Sequence, residues 1–461
     1  MPASPSDALV FFGATGDLAY KQIFPSIQGL IRDEGLDIPI IGVAKSGWSL
    51  EQLRDRAKDS LEHHGGLDQN AFKKLTELLR YVDGDYADPA TFASVRKELG
   101  AAKGPLHYLA IPPSLFGPVV QGLAKSGCGN DARVVVEKPF GHDLASAQSL
   151  NRILHQYFPE DSIFRIDHYM GKEPVQNIIY TRFANSMLEP IWNRLHVRSI
   201  QITMAEKFGV QDRGHFYDET GALRDVVQNH MLQVLANLIM EPPSGEDHEA
   251  MRDQKALLLK AIRPLNPESA VRGQYKGYRS VPGVAPGSAV ETFIAVKLSV
   301  ETWRWAGVPI YIRAGKEMPV TATEVIVEFK RPPRETFGEI IPVSSSHMRF
   351  RLSPDITVAL GVRVKTPGER MAGSDVELLL NRQAQLDEPP YQRLLGDAMR
   401  GNRELFARQD TVEAQWRIAQ PILGNVTPLY TYEPGTWGPE EAHQLIGSDG
   451  PWINPQPSQE S

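Results

Sequence analysis

Cysteine is almost absent from this chain. The one thiol, Cys128, excludes an intrachain disulfide framework and a cysteine-built metal site, and it suits a reducing compartment. Long apolar runs are missing as well. None approaches the roughly 20 residues of a membrane-spanning helix. The start of the chain has no basic segment leading into an apolar signal core, because Leu9–Phe12 is far too short. A cytoplasmic setting is therefore expected. No long basic block occurs and the net charge is −7, so nothing points to nucleic acid. No internal repeat is present. What is there, 41% hydrophobic and 23% charged residues over 461 positions, describes a globular chain too long for one ordinary domain.

The first third alternates strand-like and helix-like segments. All-apolar strands are expected at Ala8–Phe12, Pro39–Val43, Leu106–Ile111 and Arg133–Val136, with another strand ending at Ile166. Helical stretches lie between, such as Ser114–Lys125 and Asp143–Tyr157. That alternation predicts a parallel sheet covered on both faces. Ligands of such sheets bind beyond the C-terminal ends of the strands. The residues to watch are thus Gly13–Ala19, Ala44–Ser46, Ile111–Ser114, Glu137–Phe140 and Asp167–Lys172.

Gly13, Gly16 and Ala19 recur every third position across the first strand-to-helix turn. Small residues there let backbone N–H groups approach a pyrophosphate at a helix N-terminus. The pattern is not the strict dinucleotide fingerprint, since Phe11 occupies its first glycine position. After the second strand come Ala44-Lys45-Ser46, with no acid to bind ribose hydroxyls. A lysine and a hydroxyl suit a 2′-phosphate, so NADP is favoured. Lys138, fixed at a strand end by Pro139, can reach into the same cleft. Whether the bond before Pro139 is cis or trans is left open by the sequence.

Arg165–Glu173 is the densest cluster of functional groups. His168 and Lys172 stand four apart, and on a helix starting here they would share a face. Two such donors suit a phosphate dianion. A carboxylate aimed at that phosphate would repel it, so Asp167 should face elsewhere, with a histidine base as its natural partner. The plainer alternative is a helix start capped by Asp167 with solvated Lys172 and Glu173. His230 lies in a long apolar helix expected over Gly221–Glu241, beside Asn229 and near Asp225 and Gln228. It is either a satisfied core residue or a general base, for which an imidazole of ordinary pKa about 6.5 is well placed. As a base it needs an orienting carboxylate, and Asp167 is a candidate.

The remainder changes character. Five β-rich runs are expected at Val290–Val300, Pro309–Arg313, Glu324–Phe329, Ile356–Val364 and Val376–Leu380, alternating as an antiparallel sheet does. Helices return at Tyr391–Met399 and Thr411–Ala419. Val281–Gly287 reads as a loop, and the tail after Trp452 as disordered.

Together these segments resemble glucose-6-phosphate dehydrogenase. The resemblance is carried by Gly13–Ala19, Glu137-Lys138-Pro139-Phe140-Gly141, Arg165–Glu173, Tyr217–Asp225, Gln228-Asn229-His230, Ile312-Arg313-Ala314-Gly315-Lys316 and Gly435–Pro439, in order along almost the whole chain. It implies a Rossmann-type α/β domain over residues 1–166, then an α+β domain over 167–461 with a large, mainly antiparallel sheet. That sheet would build a homodimer, or a dimer of dimers. The implied reaction is oxidation of glucose 6-phosphate at C1 with hydride transfer to NADP, the first oxidative step of the pentose phosphate pathway.

The resemblance also assigns roles. His230 would be the base and Asp167 its partner, with no metal involved. His168, Tyr169 and Lys172 would hold the phosphate, while Glu206, Asp225 and Lys316 would contact sugar hydroxyls. Lys138 would reach substrate and coenzyme. Gly13, Thr15, Gly16, Asp17, Leu18, Lys45, Ser46 and Pro112 would line the coenzyme.

Three positions depart from the family pattern. Gln22 precedes Ile23-Phe24-Pro25 where a basic residue is usual. Lys45 replaces an arginine and cannot fork onto a 2′-phosphate, so the preference over NAD is softer and NAD remains open. Thr321 stands where a second cation is common, which points to weaker phosphate binding or a wider substrate range. Two other classes compete: a related sugar oxidoreductase acting on another sugar or sugar phosphate, and a non-catalytic dinucleotide sensor. Retained His168 and Lys172 argue against the first when its substrate is unphosphorylated. Intact Asp167, Lys138 and His230 argue against the second.

Overall fold

The computed structural model describes residues 5–245, 247–334, 336–338, 341–342, 346–368, 370–383 and 389–457. The chain divides into two compact units. The first comprises Met1–Lys172, Gly245–Arg252 and Asp387–Glu413; the second comprises Glu173–Ser244, Asp253–Leu386 and Ala414–Ser461. This differs from a single boundary at 166/167, because two later segments return to the first unit.

The first unit is built on six parallel strands: β1 (Leu9–Phe12), β2 (Ile40–Ala44), β3 (Leu79–Asp83), β4 (Leu106–Leu109), β5 (Arg133–Glu137) and β6 (Ile163–Ile166). Their spatial order is β3-β2-β1-β4-β5-β6, the doubly wound order of dinucleotide-binding domains. β1 lies between β2 and β4, with Leu9 opposite Ile40 on one side and Leu106 on the other. Helices such as Phe24–Glu34, Phe116–Lys125 and Leu144–His155 connect the strands. Every residue of β1, β2 and β4 is buried, which accounts for their apolar composition. The returning segment 387–413 packs on edge strand β6. Ala407 N–H donates to the Arg165 carbonyl at 3.1 Å, and Phe406 meets Phe164 edge-on with centroids 4.9 Å apart.

The second unit carries β7 (Val197–Ala205), β8 (Ala270–Tyr275), β9 (Phe293–Leu298), β10 (Ile310–Gly315), β11 (Ala322–Phe329), β12 (His347–Ser353), β13 (Ile356–Lys365), β14 (Gly373–Gln383) and β15 (Leu429–Tyr432). Among the described residues they form one nine-stranded sheet in the order β14-β13-β12-β11-β7-β10-β9-β8-β15. Pairing is antiparallel except for β10 with β7 and β15 with β8. The expected fold class is thus observed.

The helix expected over 221–241 is two elements. A π-helix covers Leu223–Met231 and an α-helix covers Leu232–Ile239. The tail after Trp452 also departs from expectation. Ile453 N–H donates to Gln201 Oε1 at 2.8 Å, and Arg313 Nη2 donates to Asn454 Oδ1 at 2.7 Å, so this part lies on the sheet. Residues 458–461 of that tail are outside the described residues.

Candidate active site

The topological switch point falls between β1 and β4, where a doubly wound sheet opens its ligand crevice. Gly13 follows β1 with φ +81°, and a Cβ there would lie 2.2 Å from the Ala110 carbonyl oxygen. Only glycine fits that approach. The expectation that small residues free the turn's N–H groups needs correcting at two positions. Gly13 N–H donates to the Val43 carbonyl and to Tyr86 Oη, each at 2.9 Å, and Gly16 N–H closes back onto the Gly13 carbonyl at 2.9 Å. Gly16 and Asp17 are exposed, with Thr15 and Leu18 half-buried beside them. One turn of π-helix, Ala19–Ile23, follows before the first α-helix. On the other side of the switch point, Pro112 is exposed past the end of β4.

Lys45 is exposed past β2 but does not stand alone. Its Nζ lies 2.6 Å from Asp85 Oδ2. Asp83 Oδ1 accepts from Ser46 N–H at 3.0 Å and from Gly47 N–H at 2.8 Å. The absence of an acid holds for the segment directly after β2. In space two acids reach its loop from the end of β3.

At the end of β5, Glu137 is buried and accepts from Tyr108 Oη at 2.5 Å. Burial pushes its carboxyl up to about 7, against the lowering influence of Tyr108 and Lys138. Tyr108 and Tyr391 are raised above the usual phenol value, first by burial and then by the Glu137 charge. The Lys138–Pro139 bond is cis.

Asp167 follows β6; its carboxylate accepts from Tyr169 N–H at 3.0 Å and caps one turn of 3₁₀-helix, His168–Gly171. The α-helix begins only at Glu173, and Lys172 between them is extended. His168 and Lys172 therefore do not share an α-helical face. They are gathered differently, around aromatic rings. The His168 ring stacks on Tyr391 with centroids 6.0 Å apart, and Lys172 Nζ sits 4.1 Å from the centre of the Tyr169 ring. Asp167 is buried and both caps and bonds locally, so the plainer reading of a cap is part of what it does.

In the second unit, Ala205 and Gly315 are paired across parallel strands β7 and β10. The next residues, Glu206 and Lys316, must emerge side by side, and Lys316 Nζ lies 2.5 Å from Glu206 Oε2. Lys316 also sits over the rings of Phe208 and Tyr217, at 5.2 and 5.3 Å. Burial raises the Tyr217 phenol, reinforced by Asp225 and Glu206. Asp225 and His230 lie on the π-helix. Its longer i→i+5 register turns residues five apart toward one side, which an α-register would not. His230 is buried, and its backbone N–H is taken by Asn229 Oδ1 at 2.6 Å. Gly221, at φ +68°, breaks the preceding helix, and Glu291 Oε1 accepts the Leu223 N–H at 3.1 Å.

Two family models cover the chain almost end to end. The NAD binding domain of glucose-6-phosphate dehydrogenase matches residues 10–177, and its C-terminal domain matches residues 179–453. The chain belongs to the glucose-6-phosphate dehydrogenase family. It is 45% identical over 453 residues to glucose-6-phosphate 1-dehydrogenase 1 of Mycobacterium tuberculosis, covering 98% of this chain and 97% of that protein. The crystal structure of glucose-6-phosphate 1-dehydrogenase from Mycobacterium avium superposes with a TM-score of 0.93 at 45% identity, over 99% of this chain and 100% of that one. A glucose-6-phosphate dehydrogenase solved in complex with glucose 6-phosphate gives a TM-score of 0.90 at 32% identity, again over 99% and 100%.

In this chain the Thr321 departure has a local role. Its Oγ1 accepts from Lys207 N–H at 3.0 Å and ties down the loop after β7. Sequence reading missed Tyr108, Tyr391, Asp83 and Asp85. Each comes from a distant part of the chain to a strand end. The local signal was an acid or a tyrosine at or near a strand end for Tyr108, Asp83 and Asp85, while Tyr391 lies in the first turn of helix Pro390–Arg400.

Proposed function

We propose that this chain oxidises glucose 6-phosphate at C1 to 6-phospho-D-glucono-1,5-lactone, with NADP as hydride acceptor. The residues present fit the coenzyme: an exposed glycine turn follows β1 at the switch point and an exposed cation follows β2. When bound, NADP accepts the C1 hydride. The chain's own residues handle the rest. A ring nitrogen of His230 takes the C1 hydroxyl proton as the C1–H bond is given up as hydride, and Asp167 orients that ring. His168, Tyr169 and Lys172 hold the phosphate, while Glu206, Asp225 and Lys316 hold sugar hydroxyls. Lys138 serves substrate and coenzyme.

The observation that carries this reading is the His168–Gly171 turn. It sets an imidazole against Tyr391 and an ammonium against Tyr169, immediately past the end of a dinucleotide-binding sheet. Two further matters belong to the same proposal. The working form is a homodimer through the nine-stranded sheet, and the setting is cytoplasmic. No described helix is long and apolar enough to cross a membrane.

The test is reduction of NADP and of NAD by glucose 6-phosphate and by free glucose, each titrated to saturation. Turnover should require the phosphate, with kcat/KM for free glucose lower by at least about 100-fold. Equal efficiency on free glucose would move the chain to the related sugar oxidoreductases.

A further inference from the structure

The loop after β2 is held by groups that its own sequence does not reveal. The polar contacts of Lys45, Ser46 and Gly47 run to Tyr81 and Asp83 on β3 and to Asp85 just after it. Lys45 Nζ is 2.6 Å from Asp85 Oδ2. Asp83 Oδ1 takes the Ser46 and Gly47 N–H groups and the Tyr81 hydroxyl, the last at 3.0 Å. Ser46 Oγ and Tyr81 Oη are 2.7 Å apart. Asp85 is itself fixed, because its other oxygen accepts from Ala87 N–H at 2.9 Å at the turn into helix Pro89–Leu99. The charged groups facing one another here are thus one ammonium and two carboxylates. A 2′-phosphate arriving at Lys45 meets an occupied cation and two like charges. A 2′-hydroxyl meets neither obstacle.

We propose that Asp85 is a specificity-determining residue: by pairing with Lys45 it competes with the adenosine 2′-phosphate and narrows the preference for NADP over NAD. This rests on the reading that Lys45 is the residue that meets the 2′-phosphate. An exposed ion pair is worth little in stability, so Asp85 is not needed to hold the fold. Its effect is on which anion Lys45 meets. Lysine makes a point contact without a planar fork, which leaves it easier to divert than arginine.

Asp85→Asn removes the charge and keeps an oxygen for the Ala87 N–H. The expected result is a KM for NADP lower by about three- to tenfold, with kcat and the KM for NAD within about twofold of wild type. NAD turnover in the same preparation reports that the variant is folded. In a Lys45→Ala background the gain from Asp85→Asn should shrink to less than half, since the contested cation is gone. A full-sized gain in that background overturns the competition, as does a ratio of coenzyme efficiencies unchanged by Asp85→Asn alone. The reading of Lys45 fails separately, if Lys45→Ala by itself leaves the ratio untouched.

Discussion

Replacing His230 with asparagine keeps a hydrogen-bonding side chain at a buried position but removes the basic nitrogen. If the ring takes the C1 proton, kcat falls by at least about 100-fold with little change in KM for glucose 6-phosphate. Near-normal steady-state turnover would return His230 to the core. Lys172→Ala asks a different question. Its ammonium is placed over Tyr169, and a charged hydrogen bond to phosphate contributes about 1.5–3 kcal/mol, so KM for glucose 6-phosphate should rise more than about tenfold. Activity on free glucose should barely change; an equal loss on both substrates shows that Lys172 does not meet the phosphate. At this scale the sequence was legible where a motif is continuous, as in Arg165–Glu173. It was silent where partners converge from far apart. Lys45 looked open because Asp85 lies 40 positions away, and the Tyr108 and Tyr391 partners of Glu137 cannot be seen from its sequence neighbours.

The strand end of β5 has a consequence for stability. Glu137 carries a folded-state pKa near 7 against an ordinary 4.5, so the folded chain holds a proton that the unfolded chain releases. The neutral carboxyl's contribution is complete below about pH 4.5 and is lost as pH rises through about 7. The loss amounts to about 3 kcal/mol. Glu137→Gln keeps an acceptor for Tyr108 and does not ionise. Urea unfolding at pH 5 and pH 8 should show wild type losing stability relative to the variant by that order. Parallel pH dependence in the two proteins would mean the carboxyl titrates normally.

The π-helix makes a second prediction among the elements. Gly221 has φ +68°, and a Cβ there would lie 2.5 Å from Glu291 Oε1. Gly221→Ala should lower Tm by several degrees, at a cost of about 1–3 kcal/mol. It should also reduce kcat, because Asp225 and His230 follow from that break. Unchanged Tm and kcat would mean the helix start does not position them. Apolar runs exposed β1, β2, β4, β5 and β10 in the sequence. β7 stayed hidden because its buried side chains include Ser199, Gln201 and Thr203, which bond to Glu328, to the Pro451 carbonyl and to Arg313. Its polar residues are covered, not solvated, and period-two reasoning cannot tell the difference. β3 was lost for a related reason, since Arg80 and Tyr81 interrupt a short edge strand.

For the whole molecule, chain length led to the expectation of two domains and strand patterning to a parallel sheet followed by a mainly antiparallel one, and those two sheets are observed. The return of Asp387–Glu413 to the first unit did not follow, because a helix's sequence records that one face is apolar and not which sheet edge it covers. The assembly can be argued from β14. This terminal strand of the nine-stranded sheet exposes Leu378, Leu379 and Leu380 in succession, and Val364 on neighbouring β13 is exposed too. The pairing slips where Val358 meets Asn381 and Ala359 meets Leu379, so Leu380 is the extra residue of a bulge. An apolar, exposed end of a large sheet invites association, and in the proposed homodimer a second copy in two-fold symmetry would cover it with the same surface. Wild type should therefore elute with at least twice the 51.3 kDa chain mass by light scattering. Leu379→Glu places a charge at a position already exposed in one chain, so the fold tolerates it. Two-fold symmetry inserts that charge twice into one interface, which costs several kcal/mol through burial without a partner. The variant should dissociate to a single chain at micromolar concentration while its circular dichroism stays native. A mass unchanged from wild type would place the interface on another surface.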